Sequence, residues 1–586
     1  MTFNGQQCLG FEFQKKLPAN NALIFPLTEK QLTSWLLTLP MLNVMEASER
    51  LERYLLHINQ ITLPDKQRLM LLEGLRPTID VLMGIFVKDF RGHVIDLSIR
   101  GQELYRLVSS LNQAMAEGYK FLLYQRAIKQ PNWMTRKQYT LLVVRVLFYL
   151  SEQLRLSYLL YATEPFGVWH DMHRCYSYAE KLRLHRNGIK EKLGFERGER
   201  ITASKIYKRL LLLAMISPIS LKSAQLEQVY RGLNPLVDKI TIIVPDDSTE
   251  FNSAYLINYQ SDSGPTNARE PSQLHNKHIW LINNDELIEQ LQSWLDGGEY
   301  KNSEQGIHLS KELLSYLIFN LKAHPEYVNN RVATEETIKA LVGLSQIEKM
   351  LTTEEEALLL EQQTDSSERH NQESNSKLWG EKDDHDVWDE LQFLAIDDPA
   401  VDEPPKEKAE KETSPVSVYS WHVNDKSPNG YGLCCQLDDD DLLSVGELLL
   451  LQPDERSEED STDAPTKGWQ LGTICWMQSE KMSNTVNLGV YILAQHVKKI
   501  HVVKLDGHHH ESEACLLLDD IGTEMTPSIL ISRKFANTGD VLLIKSHGEL
   551  QKVHIDKVVW NSEGFAQFHF HLYNDQDEVK SILSGL

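Results

Sequence analysis

From about Leu32 to Gln228 apolar residues recur at three- and four-residue spacing, as in Leu51, Tyr54, Leu55, Ile58 and again in Leu142, Val143, Val146, Leu147, Leu150. Past Val237 they alternate with polar ones instead, in KITIIVP and SAYLINYQ. The first period is that of amphipathic helices and the second that of half-buried strands, so one architecture cannot serve the whole chain. Length agrees, because 586 residues exceed what a single hydrophobic core supports. The expected fold class is multidomain α+β: an all-α N-terminal half, then a small α/β module, then one or more β-barrels.

Prolines punctuate the first half. Pro40, Pro64, Pro131, Pro165 and Pro218 fall between periodic runs, where a helix must stop or turn. Six to nine packed helices are expected over residues 1–230. A small α/β module is expected over 231–305, where the strand HIWLIN precedes the helix NDELIEQLQSWLDGG, closed by glycine. Residues 306–351 hold a helix and then TIKALVGLSQIEKML, which reads as a long strand or as a strand leading into a helix. Strands return from Val418, broken by turns at SPNG, DDDD, DGHHHESE and NTGD. Such spacing suggests small barrels, one over 418–503 and a C-terminal β-rich module over 504–586.

Charge is unevenly spread. Residues 1–230 hold 31 Lys/Arg against 20 Asp/Glu, a net of +11, whereas residues 352–417 hold 6 against 20, a net of −14. With little apolar material, the acidic stretch cannot offset the entropy of ordering itself and is expected to be a disordered linker. One island interrupts it, where Val387, Trp388, Leu391 and Leu394 share a helical face. It reads either as a fluctuating turn of helix or as a helix that docks on a protein partner.

The segment DKSPNG, Asp425 to Gly430, is followed in order by YGLCCQL, VGELLLL, GWQLGTICWM and NLGVYILA. This succession resembles the second half of a PilZ domain. That family's signature is Asp or Asn, any residue, Ser, two residues and Gly. A Gly-x-x-x-Trp strand follows, here Gly472 to Trp476, and then a Leu-Gly-Val strand, here Leu488 to Val490. The helical half is similar to the region attached to such barrels in large gammaproteobacterial proteins, through LPANNA, LPMLNVMEA, RLMLLEGLRP and WHDMHRCYSYAE.

The resemblance implies a barrel that takes cyclic di-GMP, held by an upstream RxxxR pair and by the DxSxxG residues. On this sequence these are Arg331, Asp425, Ser427 and Gly430, with Tyr327 of YVNNR where the family's first arginine stands. Planar guanidinium groups suit the task because they bind phosphate bidentately and stack on bases. The resemblance also implies that TIKALVGL is the first barrel strand, separated from the rest by the acidic segment. Closure entropy grows only logarithmically with loop length, so such an insertion is tolerable. Read on the residues alone, Asp425, Ser427 and Gly430 make a turn with an Asx-type side-chain bond.

No GxGxxG, GxxxxGKS, HExxH or GxSxG motif occurs, so the chain is expected not to be an enzyme and to need no cofactor. His508, His509 and His510 are adjacent on a hairpin, and His170 with His173 lacks a clear third ligand, so no metal site is expected. Arg126, Lys129, Arg136 and Lys137 interleave with Tyr124 and Trp133, which suits nucleic acid through counterion release. No nucleic-acid-binding motif accompanies them, and a solvated face, or one docking the acidic linker, is the plainer reading. No run approaches a transmembrane length, no signal-like start occurs, and the six cysteines form no CxxC pair, so a cytoplasmic location is expected. The expected function is a non-enzymatic regulatory binding protein with cyclic di-GMP binding weak or lost. The alternative is a protein–protein scaffold without a nucleotide ligand.

Overall fold

The computed structural model describes residues 5–13, 16, 25–90, 99–128, 131–132, 134–245, 255–267, 277–302, 307–322, 331–352, 417–436, 443–453, 469–479, 485–506, 509–518, 527–532, 534–546, 549–561 and 565–572. Tyr327, the island Val387, Trp388, Leu391 and Leu394, and nearly all of the acidic segment lie outside these. The chain divides into two compact units: Met1–Arg331 with Cys435–Val445 and Trp476–Leu488, and Val332–Cys434 with Gly446–Cys475 and Gly489–Leu586.

In the first unit, helices α1 (Gly5–Leu9), α2 (Glu29–Leu36), α3 (Val44–Gln60), α4 (Asp65–Phe90), α5 (Ile99–Arg126), α6 (Arg136–Leu159) and α7 (Val168–Lys181) lead to a short hairpin. That hairpin, β1 (Gly188–Lys190) and β2 (Arg200–Thr202), precedes α8 (Ala203–Met215) and α9 (Ser223–Gly232). Starts are capped as the sequence directs. Thr28 and Gln31 form a reciprocal capping box on α2, and the Thr202 hydroxyl accepts from Lys205 N at the start of α8.

Helix α6 departs from the amphipathic expectation. It packs against α5, α7, α8, α9 and β1, and almost every residue from Tyr139 to Leu159 is buried. A helix surrounded on all sides must bury its polar residues too, and α6 does so by ion pairing. Arg145 donates to Glu191 at 2.6 Å and to Glu73 at 2.9 Å. Arg76 reaches the same Glu191 at 3.0 Å, and Tyr119 donates to Glu73 at 2.7 Å. Arg155 holds Glu152 at 2.6 Å and Glu227 at 2.7 Å. Beside them Arg209 donates to Glu196 at 2.8 Å, to Asn234 at 2.9 Å and to the Tyr230 hydroxyl at 2.8 Å. Charges this deep persist only when paired.

Arg76, Glu152, Arg155, Glu191 and Glu227 line a cavity of about 390 Å³. Several of the basic residues behind the +11 of residues 1–230 are therefore internal, as counter-ions to buried carboxylates. Arg126 is also only 17% exposed and lies 3.7 Å from Asp65.

Residues of the expected small α/β module form an antiparallel sheet in the order β3 (Thr241–Ile243), β6 (Ile279–Asn283), β4 (Tyr255–Asn258), β5 (Thr266–Asn267), followed by α10 (Asp285–Asp296). The sheet is apolar on both faces: Leu256, Ile279 and Leu281 form a small cluster of their own on one, while the other has no separate core among the described residues. Tyr255, Ile257, Trp280, Ile282, Leu287 and Leu291 join the core of the helices, which covers the apolar face that four short strands cannot cover for themselves. The hairpin β7 (Tyr300–Asn302) and β8 (Ile307–Leu309) and helix α11 (Lys311–Leu321) complete the unit.

The remaining strands build two barrels. β9 (Val332–Ala333), β10 (Thr337–Val342), β11 (Tyr419–Ser427), β12 (Gly430–Gln436), β13 (Leu448–Pro453), β14 (Gln470–Ser479) and β15 (Thr485–Ala494) are ordered β10-β13-β14-β15-β12-β11-β9. Pairing of β10 with β11, Ile338 opposite Trp421, closes six of them. The run TIKALVGLSQIEKML resolves into strand β10 and a helix, α12 (residues 344–352), which meet at Gly343 with φ of 83°.

The second barrel is closed in the order β16 (Val497–Asp506), β17 (His509–Leu518), β18 (Ser528–Ser532), β21 (Phe565–Leu572), β20 (Glu549–Asn561), β19 (Val541–Ser546). It starts at Val497, so the boundary expected at 503 falls inside β16. Ile347 and Leu351 of α12 share one apolar cluster with Leu448 and Leu450 of the first barrel and Leu516 and Leu518 of the second. Among the described residues no helix is long and apolar enough to cross a membrane.

Candidate functional site

Asp425, Ser427 and Gly430 lie where β11 turns into β12. Ser427 pairs with Gly430 across the two-residue turn Pro428-Asn429, and the Ser427 hydroxyl donates to Gly430 O at 3.2 Å. Asn429 O accepts from Ile492 N at 3.0 Å, which ties the turn to β15. The register of β11 shifts between Val423 and Asp425, a bulge that re-aims the side chains after it. Asn424 O at that bulge accepts from Thr334 N at 3.2 Å.

The glycines are required by space rather than by backbone conformation. A Cβ on Gly430 would stand 2.0 Å from Val490 O, and one on Gly432 would stand 2.4 Å from Asp425 Oδ1. Gly432 is the register partner of Asp425, so the carboxylate lies over a residue that must have no side chain. Gly430→Ala should therefore push β12 away from β15 and lower barrel stability by about 1–3 kcal/mol. Thermal unfolding measures it, and an unchanged midpoint would show that the strands can separate freely.

Arg331 is exposed and immediately precedes β9, whose Val332 and Ala333 pair with Lys426 and Asp425. Chain continuity thus carries Arg331 to the end of β11 that bears the DxSxxG residues, even though the acidic segment intervenes in sequence. Tyr327 lies outside the described residues.

Sequence reasoning missed several neighbours. Lys426 is held by Glu336 at 3.0 Å, and Tyr431, opposite Lys426, donates to Gln470 at 3.0 Å. Gln470 in turn donates to Gln495 at 2.7 Å. These polar residues carry no spacing signal, because barrel closure brings them together.

Residues 30–246 match the family described as cyclic-di-GMP receptor FimW, N-terminal domain, and residues 254–498 match cyclic-di-GMP receptor FimW, middle PilZ domain. The chain belongs to this PilZ-domain family. The cyclic-di-GMP receptor FimW of Pseudomonas aeruginosa is 22% identical over 564 residues, covering 93% of this chain and 90% of the relative. No solved structure matches the chain. The middle-domain match takes in the β3–β6 sheet only from β4 onward, together with α10, α11 and the whole PilZ barrel. It ends just inside β16, so the second barrel lies beyond both matches.

Proposed function

We propose that this chain is a non-enzymatic regulatory receptor that binds cyclic di-GMP at the DxSxxG hairpin, weakly, with half of the PilZ arginine clamp. The observation that carries the reading is the pairing of β9 with β11, which sets Arg331 one residue before the partner of Lys426. The relative's description as a cyclic-di-GMP receptor supports it. In this reading Arg331 donates bidentately to phosphate and stacks on a guanine, and Asp425 accepts from the guanine N–H edge. Ser427 adds a hydroxyl, and Gly430 serves the site by letting the hairpin close against Val490 O of β15. Tyr327 in place of the first arginine removes one charge-assisted contact and keeps the affinity low.

The helical half then engages a protein partner, and Val387, Trp388, Leu391 and Leu394 offer a second docking element. The tyrosine at position 327 favours one other reading, a scaffold without a nucleotide ligand.

Calorimetric titration of the full chain with cyclic di-GMP separates the two. Saturable heat is expected, weakened by about 10- to 100-fold in Asp425→Ala, as the loss of a hydrogen bond to a charged group would give. Absence of heat in the folded parent protein would leave the scaffold reading.

A further inference from the structure

The second barrel carries a cluster of metal-binding character that no sequence motif announces. His554 on β20 pairs directly with His571 on β21, and their rings lie 5.1 Å apart. Asp556 stands between them because the register shifts between Ile555 and Lys557, leaving it as the extra residue of a bulge. A bulge turns a side chain out of its regular alternation, and here it brings the carboxylate to both imidazoles. Asp556 Oδ1 lies 2.6 Å from His571 Nδ1 and 3.5 Å from His554 Nδ1. One donor atom from each residue falls within 4.8 Å of the other two.

We propose that His554, Asp556 and His571 form a binding site for a zinc-class divalent transition metal on the outer face of the second barrel. Bonds of about 2.0–2.1 Å in a tetrahedral ion set its donors about 3.3 Å apart. The present separations of 2.6 and 3.5 Å bracket that value, so small side-chain rotations suffice. Two imidazoles and one carboxylate select ions of borderline softness over magnesium or calcium, which prefer oxygen donors. The cluster is partly exposed, with His571 58% and Asp556 39% accessible, so the ion keeps an open position for water or for a donor from another molecule.

Zinc chloride titrated by calorimetry into the full chain tests this, in a background where His508, His509 and His510 are all replaced by alanine. That replacement removes the other histidine-rich stretch as a source of heat. One saturable zinc site is expected, with magnesium giving none. His571→Ala and His554→Ala should each weaken it by more than the roughly 10- to 100-fold typical of losing an outer-shell partner. Asp556→Asn should weaken it less, since the amide oxygen still donates. Unchanged circular dichroism and melting temperature in these surface variants show that lost binding is not lost folding. Zinc affinity unchanged in His571→Ala, or no zinc binding in the parent background, would overturn the site and leave an ordinary histidine–aspartate hydrogen bond.

Discussion

Glu191→Leu is expected to destabilise the helical unit by about 3–5 kcal/mol, the usual effect of stranding a buried charge. Glu191 is 4% exposed and accepts from Arg145 and Arg76, themselves 4% and 5% exposed, as well as from the backbone N–H of Lys192 and Leu193. Leucine leaves the two guanidinium groups to share Glu73 as their remaining ion-pair partner among the described residues. Chemical denaturation followed by the circular dichroism of the helices measures the effect. A loss below about 1 kcal/mol, the scale of a surface ion pair, would show that water reaches the network.

The same carboxylate makes stability depend on pH. Burial pushes the Glu191 carboxyl up, but Arg145 and Arg76 outweigh it and hold the group below the ordinary carboxylate range. Glu73 is lowered in the same way, burial being outweighed by Arg145. A depressed folded-state value means the stabilisation is complete above the unfolded value, about 4.3 for glutamate, and is lost as pH falls through the folded one. Glu191→Gln should therefore flatten the acid limb of the stability curve below about pH 4. Asp80, raised chiefly by burial beside the same cavity and in small part by the Glu191 charge, titrates in both proteins and is raised less in the variant. Parallel acid limbs in the two proteins would show that Glu191 is not ionised in the fold.

Tyr327→Arg should tighten cyclic di-GMP binding by about one to two orders of magnitude. A phenol cannot supply the bidentate, charge-assisted contact of a guanidinium, and such bonds are worth roughly 1.5–3 kcal/mol. Adding Arg331→Ala to that variant should abolish the gain, because in the proposed clamp the two side chains act on one ligand. Calorimetry on the full chain reads both changes. A folded Tyr327→Arg protein that binds no better than its parent would remove YVNNR as the clamp.

Helices and strands were legible wherever one face of an element met the core. HIWLIN and NDELIEQLQSWLDGG became β6 and α10, and the run TIKALVGLSQIEKML held both readings because its period changes at Gly343. Helix α6 was found by its period but misjudged in character. An amphipathic period implies a polar face toward solvent, whereas Arg145 and Arg155 are buried against Glu73, Glu191 and Glu227 of other elements and Glu152 pairs with Arg155 inside the helix. The DxSxxG hairpin was legible as a turn because Ser427 and Gly430 pair within it, whereas the lack of room for a side chain at Gly430 comes from Val490 O on the distant strand β15.

The sequence by itself determined the change from helical to strand period, the turn at Ser427 to Gly430 and the family to which the chain belongs. Each depends on residues near one another in the chain or on their order. Tertiary structure alone decided which carboxylate meets which arginine and that the sheet of β3 to β6 shares the helical core. The resemblance had already implied a first barrel split by the acidic segment; tertiary structure decided its register, Ile338 opposite Trp421, and set Asp556 between two histidines through a bulge. Ion pairs, shared cores and register shifts are fixed by which surfaces pack together, and that packing leaves no periodic trace in the chain.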